Sequence, residues 1–550
     1  MSAPVLSSPY SRWFCDQVAE HHRVFEEAIR GGGSLFQIET AMRALRKRVD
    51  KLRLKAMARI LAERDEELIR PACPQCGRRM HVNRKEKLTL QFLEGAVKVL
   101  RNYCECRLCK QYRYPLDEAL GLLAKGECTP QFGHDLCQLS AELPTSAGVR
   151  LLRTLTGREI CQSLVKAQVQ RDGDALVELE RIEAERLWPF GDKGELRDVE
   201  GDWDRRLHRP PPVEGSVIIE MDAVITNLGN EPAIRKQIKE WEAEAKRRAA
   251  LGEAMDENRP STWRETRLLK IFRQVDVTET VSRSGKKRRQ ITRSEVAAVV
   301  NDPGYFKKRV NAVMQAWEVD RYQERVVIAD GAEVLWDIAS LIINPTVEIL
   351  DLRHAQSHIH RCAKALFGEG TSKSKEWANA WCRKLKYKGP RPLKAALMRL
   401  AKREWSEDGR RVLTNVIDYV TTHWQRMNYP KFREKGLPIG SGAIESANRQ
   451  VVSDRCKRAG TRWTKLGLQR IVSLRAALLC GNWDGICRAI REHRACSAAK
   501  RRRSRVEASL HPLQDTKATP SRPRQCRHRS KKRPMRTELA LSPVQTRRRK

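Results

Sequence analysis

No stretch of about 18 consecutive apolar residues occurs in the 550-residue chain, so nothing in it reads as a membrane-spanning helix. Nor does the start show the charged-then-greasy pattern of a secretory leader, and a soluble, intracellular protein is expected. Acidic residues are in short supply: 68 Asp and Glu stand against 107 Lys and Arg, a formal net charge of +39. That imbalance makes nucleic acid the leading partner, because each cation that neutralises a phosphate releases a counterion. A disulfide framework is also missing. The chain holds 16 cysteines, but most fall singly in helix-like segments, as reduced core thiols do. A hydrophobic content of 40% is ample for several cores, and the length allows roughly three to four domains.

Residues 1–70 read as a helical segment. "HHRVFEEAIR" and "IETAMRALRKRVDKLRLKAMARILAERDEELIR" repeat apolar positions at three- and four-residue spacing. Residues 71–118 change character, with paired cysteines around alternating stretches such as "KLTLQFLEGAVKVLRNYCE". Residues 119–207 return to helix, with turns at "ELPTSAG" and "LTGREI"; this is a helix-turn-helix-like DNA-binding module or an ordinary helical hairpin. "HRPPPVEG", 208–215, reads as a linker.

Residues 213–354 are α/β. Strands are expected at "GSVIIEMDAVIT", "LLKIFRQVDVTETV", "QITRSE", "ERVVIADGAE" and "TVEILDLRHA". A helical block follows over 355–435, with Trp377, Trp381, Trp405 and Trp424 expected in a core rather than as base-stacking wedges. Residues 436–495 open with "GSGAIES", a turn leading into a helix. From 496 the chain is basic and of low complexity. Residues 500–550 carry 18 Lys/Arg against 3 Asp/Glu, and a disordered tail that adds non-specific DNA affinity is expected.

Two Cys-x-x-Cys pairs flank the alternating stretch. Cys73 with Cys76 and Cys106 with Cys109 have the spacing of a zinc ribbon, each pair on a tight knuckle. Cys104 is then a supernumerary thiol, and reduced core cysteines are the alternative. A closed four-thiolate site leaves no position for water, so its role would be structural.

Asp222 and Asp330 each fall at the end of an apolar strand, where an ionised carboxylate is costly unless paired or bound to metal. Either alone reads equally well as a cap of the following turn. Together with Glu445, in the turn-to-helix stretch, they make the set that holds two Mg²⁺ ions about 4 Å apart. Glu445 alone also suits a helix N-terminus. Arg449, Arg455, Lys457 and Arg458 follow it and are expected to clamp substrate phosphates.

The blocks "ADGAEVLWDIA", "LDLRHAQSHIHRCAKALFG" and "LPIGSGAIESANRQVVSDRCKRAGTRWTKLGLQRIVSLRAALLCGNW" closely resemble the bacterial insertion-sequence transposases of the Kra family. The resemblance runs from the cysteine pairs to about residue 487. It implies a multidomain α/β protein with a ribonuclease-H-like mixed-sheet core, into which the helical block is inserted. It also implies a DDE set at Asp222, Asp330 and Glu445. Ala223 departs from the glycine expected after the first Asp, and the basic tail is unlike the family's usual ending. Asp351-Leu-Arg-His354 resembles a signature near the second Asp in several transposase groups, giving His354 a supporting role; a structural histidine, or a metal site with His358 and His360, are alternatives.

The implied activity is cleavage and joining of double-stranded DNA at element ends and target. It would use two Mg²⁺ (or Mn²⁺) ions, a structural Zn²⁺ and a homo-oligomer on DNA, without a membrane and at the bacterial nucleoid in the cytoplasm. A non-catalytic DNA-binding protein derived from a transposase and a host nuclease are the rivals.

Overall fold

Two helices come first among the described residues, α1 (Pro9–Arg30) and α2 (Leu35–Glu67), and the second starts where the sequence supplies a cap. Ser34 accepts the Gln37 amide while the Gln37 side chain accepts the Ser34 amide, pairing two donors that a helix start leaves open. The structure, a computed structural model, describes residues 9–31, 34–123, 128–191, 195, 203–251, 259–285 and 287–510. The C-terminal half of α2 lies on an antiparallel sheet of β1 (His81–Gln91), β2 (Ala96–Glu105) and β3 (Tyr112–Arg113), followed by α3 (Pro115–Ala119). Leu61, Leu88, Leu90, Val97, Val99 and Leu116 form one small core. Buried Asp65 accepts the Asn102 amide at 2.7 Å. Segments 1–70 and 71–118 therefore share an interior.

Next come α4 (Pro130–Glu142), α5 (Thr145–Thr156) and α6 (Gln162–Arg186). The α/β part follows as β4 (Ser216–Asn227), α7 (Pro232–Ala250), β5 (Trp263–Arg273), β6 (Val277–Val281), β7 (Lys287–Ile291) and β8 (Glu295–Val300). It continues with α8 (Pro303–Ala316), β9 (Glu324–Ala329), α9 (Glu333–Ile338) and β10 (Val347–Leu350). Five strands make a mixed sheet in the order β10-β9-β4-β5-β8. β10, β9 and β4 run parallel, while β4, β5 and β8 are antiparallel. The stretch "LLKIFRQVDVTETV", expected as one strand, is two. Arg273 grips Asp276 through two N–H bonds of 2.8 Å around a tight turn, so β6 leaves the main sheet and pairs with β7 as a separate hairpin.

The helical block comprises α10 (Leu352–Phe367), α11 (Ser372–Lys388), α12 (Pro390–Ala401), α13 (Glu407–Thr422) and α14 (Tyr429–Glu434). Its tryptophans Trp377, Trp381, Trp405 and Trp424 pack half-buried against the main core. The described residues end in α15 (Gly442–Ala447), a π-helical turn over Asn448–Ser453, α16 (Asp454–Cys456), α17 (Lys465–Leu479) and α18 (Trp483–Leu510). Helix α18 thus takes in residues 496–510, expected to be disordered; the rest of the tail, 511–550, lies outside the described residues.

Alternation along β5 and β8 divides the sheet's two faces. Leu268, Ala298 and Val300 face Phe132 and Leu136 of α4, Leu176 of α6 and Val472 of α17. Leu269, Ala297 and Val299 face Phe306, Val310 and Val313 of α8. The helices expected as a separate module therefore cover one face of the sheet. The expected linker is anchored at its first residue. His208 is buried, with Nδ1 2.5 Å from Glu295 of β8 and Nε2 2.6 Å from Glu183 of α6. Burial alone would lower the imidazole's pKa, but the two carboxylates raise it to about 10. Among the described residues, no helix is long and apolar enough to cross a membrane.

Candidate metal centres

The two cysteine knuckles repeat one backbone geometry. Cys73 N–H donates to Arg78 O at 2.8 Å and Gly77 N–H to Cys73 O at 3.0 Å. In the second knuckle Cys106 N–H donates to Gln111 O at 2.8 Å and Lys110 N–H to Cys106 O at 2.9 Å. Each turn needs a left-handed residue just after its second cysteine, filled by Gly77 (φ 70°) and by Lys110 (φ 56°). The Sγ atoms of Cys73, Cys76, Cys106 and Cys109 all lie within 4.8 Å of one another, with Cys76 and Cys106 at 3.6 Å. A tetrahedral ion with sulfurs at about 2.3 Å sets its sulfurs about 3.8 Å apart, so the four thiols fit one. Without a metal the four thiols share protons unequally: the Cys109 amide lowers the Cys106 thiol's pKa, while burial and the neighbouring thiols raise that of Cys109. Cys104 stands outside the set, buried, with its thiol pKa raised by that burial.

The second cluster follows from strand register. Met221 on β4 pairs with Ala329 on the parallel β9, and Leu350 on β10 pairs with the same Ala329. The next residue on each strand is an aspartate: Asp222, Asp330 and Asp351. Ligand atoms of Asp222, Asp330 and His354 lie within 4.8 Å of one another. Burial and then the Asp330 charge raise Asp222 to about 6, with the Ala223 amide opposing. Asp330 also accepts the Ala332 amide at 2.9 Å, so it caps its turn as well as facing Asp222. Gly331 leaves room for Tyr419, whose ring would lie 2.5 Å from a Cβ there.

Asp351, fully buried, accepts the His354 amide at 3.0 Å and the Ser441 amide at 2.9 Å, fixing the start of α10 against the "GSG" turn. Only His354 of the three histidines joins the cluster. His358 stacks on Tyr419 at 3.8 Å, and burial lowers its pKa to about 4, so it packs as a neutral ring. His360 is exposed and outside the set.

Glu445 opens α15 near the cluster, but its carboxylate is not among those ligand atoms. Its Oε2 instead accepts from Arg353 Nη1 at 2.7 Å. The turn carrying it is tied down on both sides. Glu220 Oε2 accepts the Ile444 amide at 2.7 Å, and Asn448 Nδ2, one turn after Glu445, donates to Asp222 Oδ2 at 2.6 Å. Burial raises Glu220 to about 8 despite that amide.

Sequence reasoning passes over Glu220 and Asn448, and names Asp351 only as the first residue of the Asp351–His354 signature. Glu220 had a signal: it precedes Asp222 by two in an apolar strand and so shares its face. The Asn448 signal was only its place one turn beyond Glu445.

Of the four expected phosphate clamps, Arg449, Lys457 and Arg458 are exposed. Arg449 lies 3.5 Å from Asp454. Arg455 is not available to a substrate. It is 6% exposed, donates to Ser140 O at 3.2 Å and lies over the Trp463 ring at 5.2 Å, so it fastens α16 to α4. No protein-family model matches the chain, and no curated protein matches it.

Proposed function

We propose that the chain is a DDE transposase with a ribonuclease-H-like core, cutting and joining double-stranded DNA at the ends of an insertion sequence, as the Kra-family resemblance implies. The observation that carries this is the convergence of Asp222 and Asp330 from adjacent parallel strands, with His354 within 4.8 Å. Three antiparallel strands continuing into two parallel ones also support such a core. Substrate sites in sheets of this kind lie outside the carboxyl ends of parallel strands, where the aspartates are.

Asp222, Asp330 and Glu445 would hold two Mg²⁺ or Mn²⁺ ions, which when bound supply an activated nucleophile and stabilise the leaving oxygen. Asn448 fixes one Asp222 oxygen and links the Glu445 turn to β4. His354, about half exposed, stands at the mouth of the cluster. Arg449, Lys457 and Arg458 offer cations to phosphates beside it. The four cysteines would take Zn²⁺ and hold the ribbon's knuckles together. Holding two element ends at once calls for a homo-oligomer on DNA, acting at the nucleoid.

The test is incision of a supercoiled plasmid carrying the gene with its flanks. Wild type nicks and joins with Mg²⁺, while Asp222→Asn, Asp330→Asn and Glu445→Gln bind the plasmid but leave it intact. One observation favours the non-catalytic rival: Glu445 is engaged by Arg353 rather than by the aspartates. Wild type that binds without cutting under any divalent ion would establish that rival.

A further inference from the structure

A second polar concavity lies away from the carboxylates, at the opposite end of the edge strand β10. It has a volume of about 680 Å³ and is walled by the start of β10, the α11–α12 junction, Trp424 and α14. β10 spans four residues, so the cleft and Asp351 are separated by about 13 Å along the strand. The lining holds five cations, Lys388, Arg391, Arg426, Lys431 and Lys435, against one carboxylate, Glu348. Glu348 is already engaged by Arg426 at 2.6 Å, and Lys435 reaches Glu324 outside the lining at 2.9 Å. Lys388, Arg391 and Lys431 are exposed around the same hollow, with no ion-pair partner among the described residues.

Folding alone does not account for this grouping. Lys388 suits the last turn of α11, where the helix dipole favours a cation. Arg391 does not: it stands in the first turn of α12, the end that disfavours positive charge. That end also lacks a side-chain cap, because Gly389 precedes it. Like charges brought together on a concave wall repel one another unless an anion joins them, and the field between such walls concentrates anions.

We propose that this cleft is a phosphate-binding site, separate from the carboxylate cluster, in which Lys388, Arg391 and Lys431 hold the phosphates of a nucleic-acid backbone or of a free phosphate compound. It does not depend on the chemistry assigned to Asp222 and Asp330.

The experiment uses the full chain and the paired substitution Lys388→Glu/Lys431→Glu, with Lys388→Gln/Lys431→Gln as a milder second pair. Lys402→Glu/Arg403→Glu is the control of equal charge, at the far end of α12 and about 18 Å away. Binding is measured to a random-sequence duplex, a single strand, inorganic phosphate and ATP over a salt series. The cleft pair is expected to lose about 10-fold or more in affinity, with a salt slope shallower by about two, while the control changes much less. Loss confined to the duplex or single strand identifies a nucleic-acid backbone. Loss confined to phosphate or ATP identifies a free phosphate compound. Equal affinities of the cleft pairs and the control for all four probes overturn the proposal.

Discussion

Arg353 donates to Glu445 at 2.7 Å, tying the first turn of α10 to the first turn of α15. The guanidinium is 74% exposed and the carboxylate 37%, so this is a surface pair worth no more than about 1 kcal/mol. As the proposed third metal ligand, Glu445 would have to leave Arg353 to reach an ion held by Asp222 and Asp330. Arg353→Gln is therefore expected to raise affinity for Mn²⁺ by up to about fivefold in calorimetric titration. A lower affinity would mean that Arg353 helps to build the site instead of competing with the ion.

Asn448 is one of two polar links between the Glu445 turn and β4, the other being Glu220 to the Ile444 amide. Asn448 Nδ2 reaches Asp222, while its buried Oδ1 has no protein partner. Asn448→Ala is expected to cost about 1–3 kcal/mol of stability by denaturant melts. Asn448→Asp is expected to cost more in the metal-free protein, because it sets a second carboxylate against Asp222. Strand cleavage should fall about tenfold or more in both. Unchanged stability and cleavage in both variants would remove Asn448 from the account.

The ribbon assignment separates two neighbouring thiols. Purified protein is expected to carry one zinc per ribbon by elemental analysis. Cys106→Ser should lose it and expose β1–β3 to proteolysis, while Cys104→Ser should keep it. The reverse pattern would place Cys104 among the ligands.

His208 joins the α6 helix, the 203–215 segment and β8. Its folded pKa, about 10, lies above the 6.5 of a free imidazole. Its stabilisation is then complete below pH 6.5 and is lost as pH rises toward 10, because the unfolded chain gives up this proton first. His208→Leu, which removes the imidazolium and leaves buried Glu183 to Arg309 and Glu295 to the Trp317 N–H, is expected to cost about 3–5 kcal/mol near neutral pH and to flatten this alkaline decline. A melting temperature of the wild type that stays constant from pH 6 to 10 would contradict the charged, doubly paired imidazole.

Elements that carry their own pattern were legible. The apolar runs around Ile219, Val327 and Ile349 read as buried strands and are β4, β9 and β10, and the cysteine spacing placed both knuckles. The register of two parallel strands more than a hundred residues apart cannot be read from either strand alone, yet it brings Asp222 level with Asp330. Arg455 misled because a cation in a basic run reads as surface; only the fold supplies the Ser140 carbonyl and the Trp463 ring that bury it. "HRPPPVEG" misled in the same way, since prolines signal a break in secondary structure but not whether the histidine before them is buried. The helix over 496–510 extends α18, whose earlier turns pack through Ile486 and Ile490 against the core; composition could not show that docking.

Whether Asp222, Asp330 and Glu445 hold a metal pair is read most directly by Mn²⁺ anomalous diffraction from crystals of the protein soaked in that ion. Two peaks about 4 Å apart are expected between Asp222 and Asp330, with Glu445 released from Arg353 and turned onto one of them. No peak at the aspartates, or Glu445 still held by Arg353 beside a fully loaded site, would contradict a metal pair held by these three carboxylates.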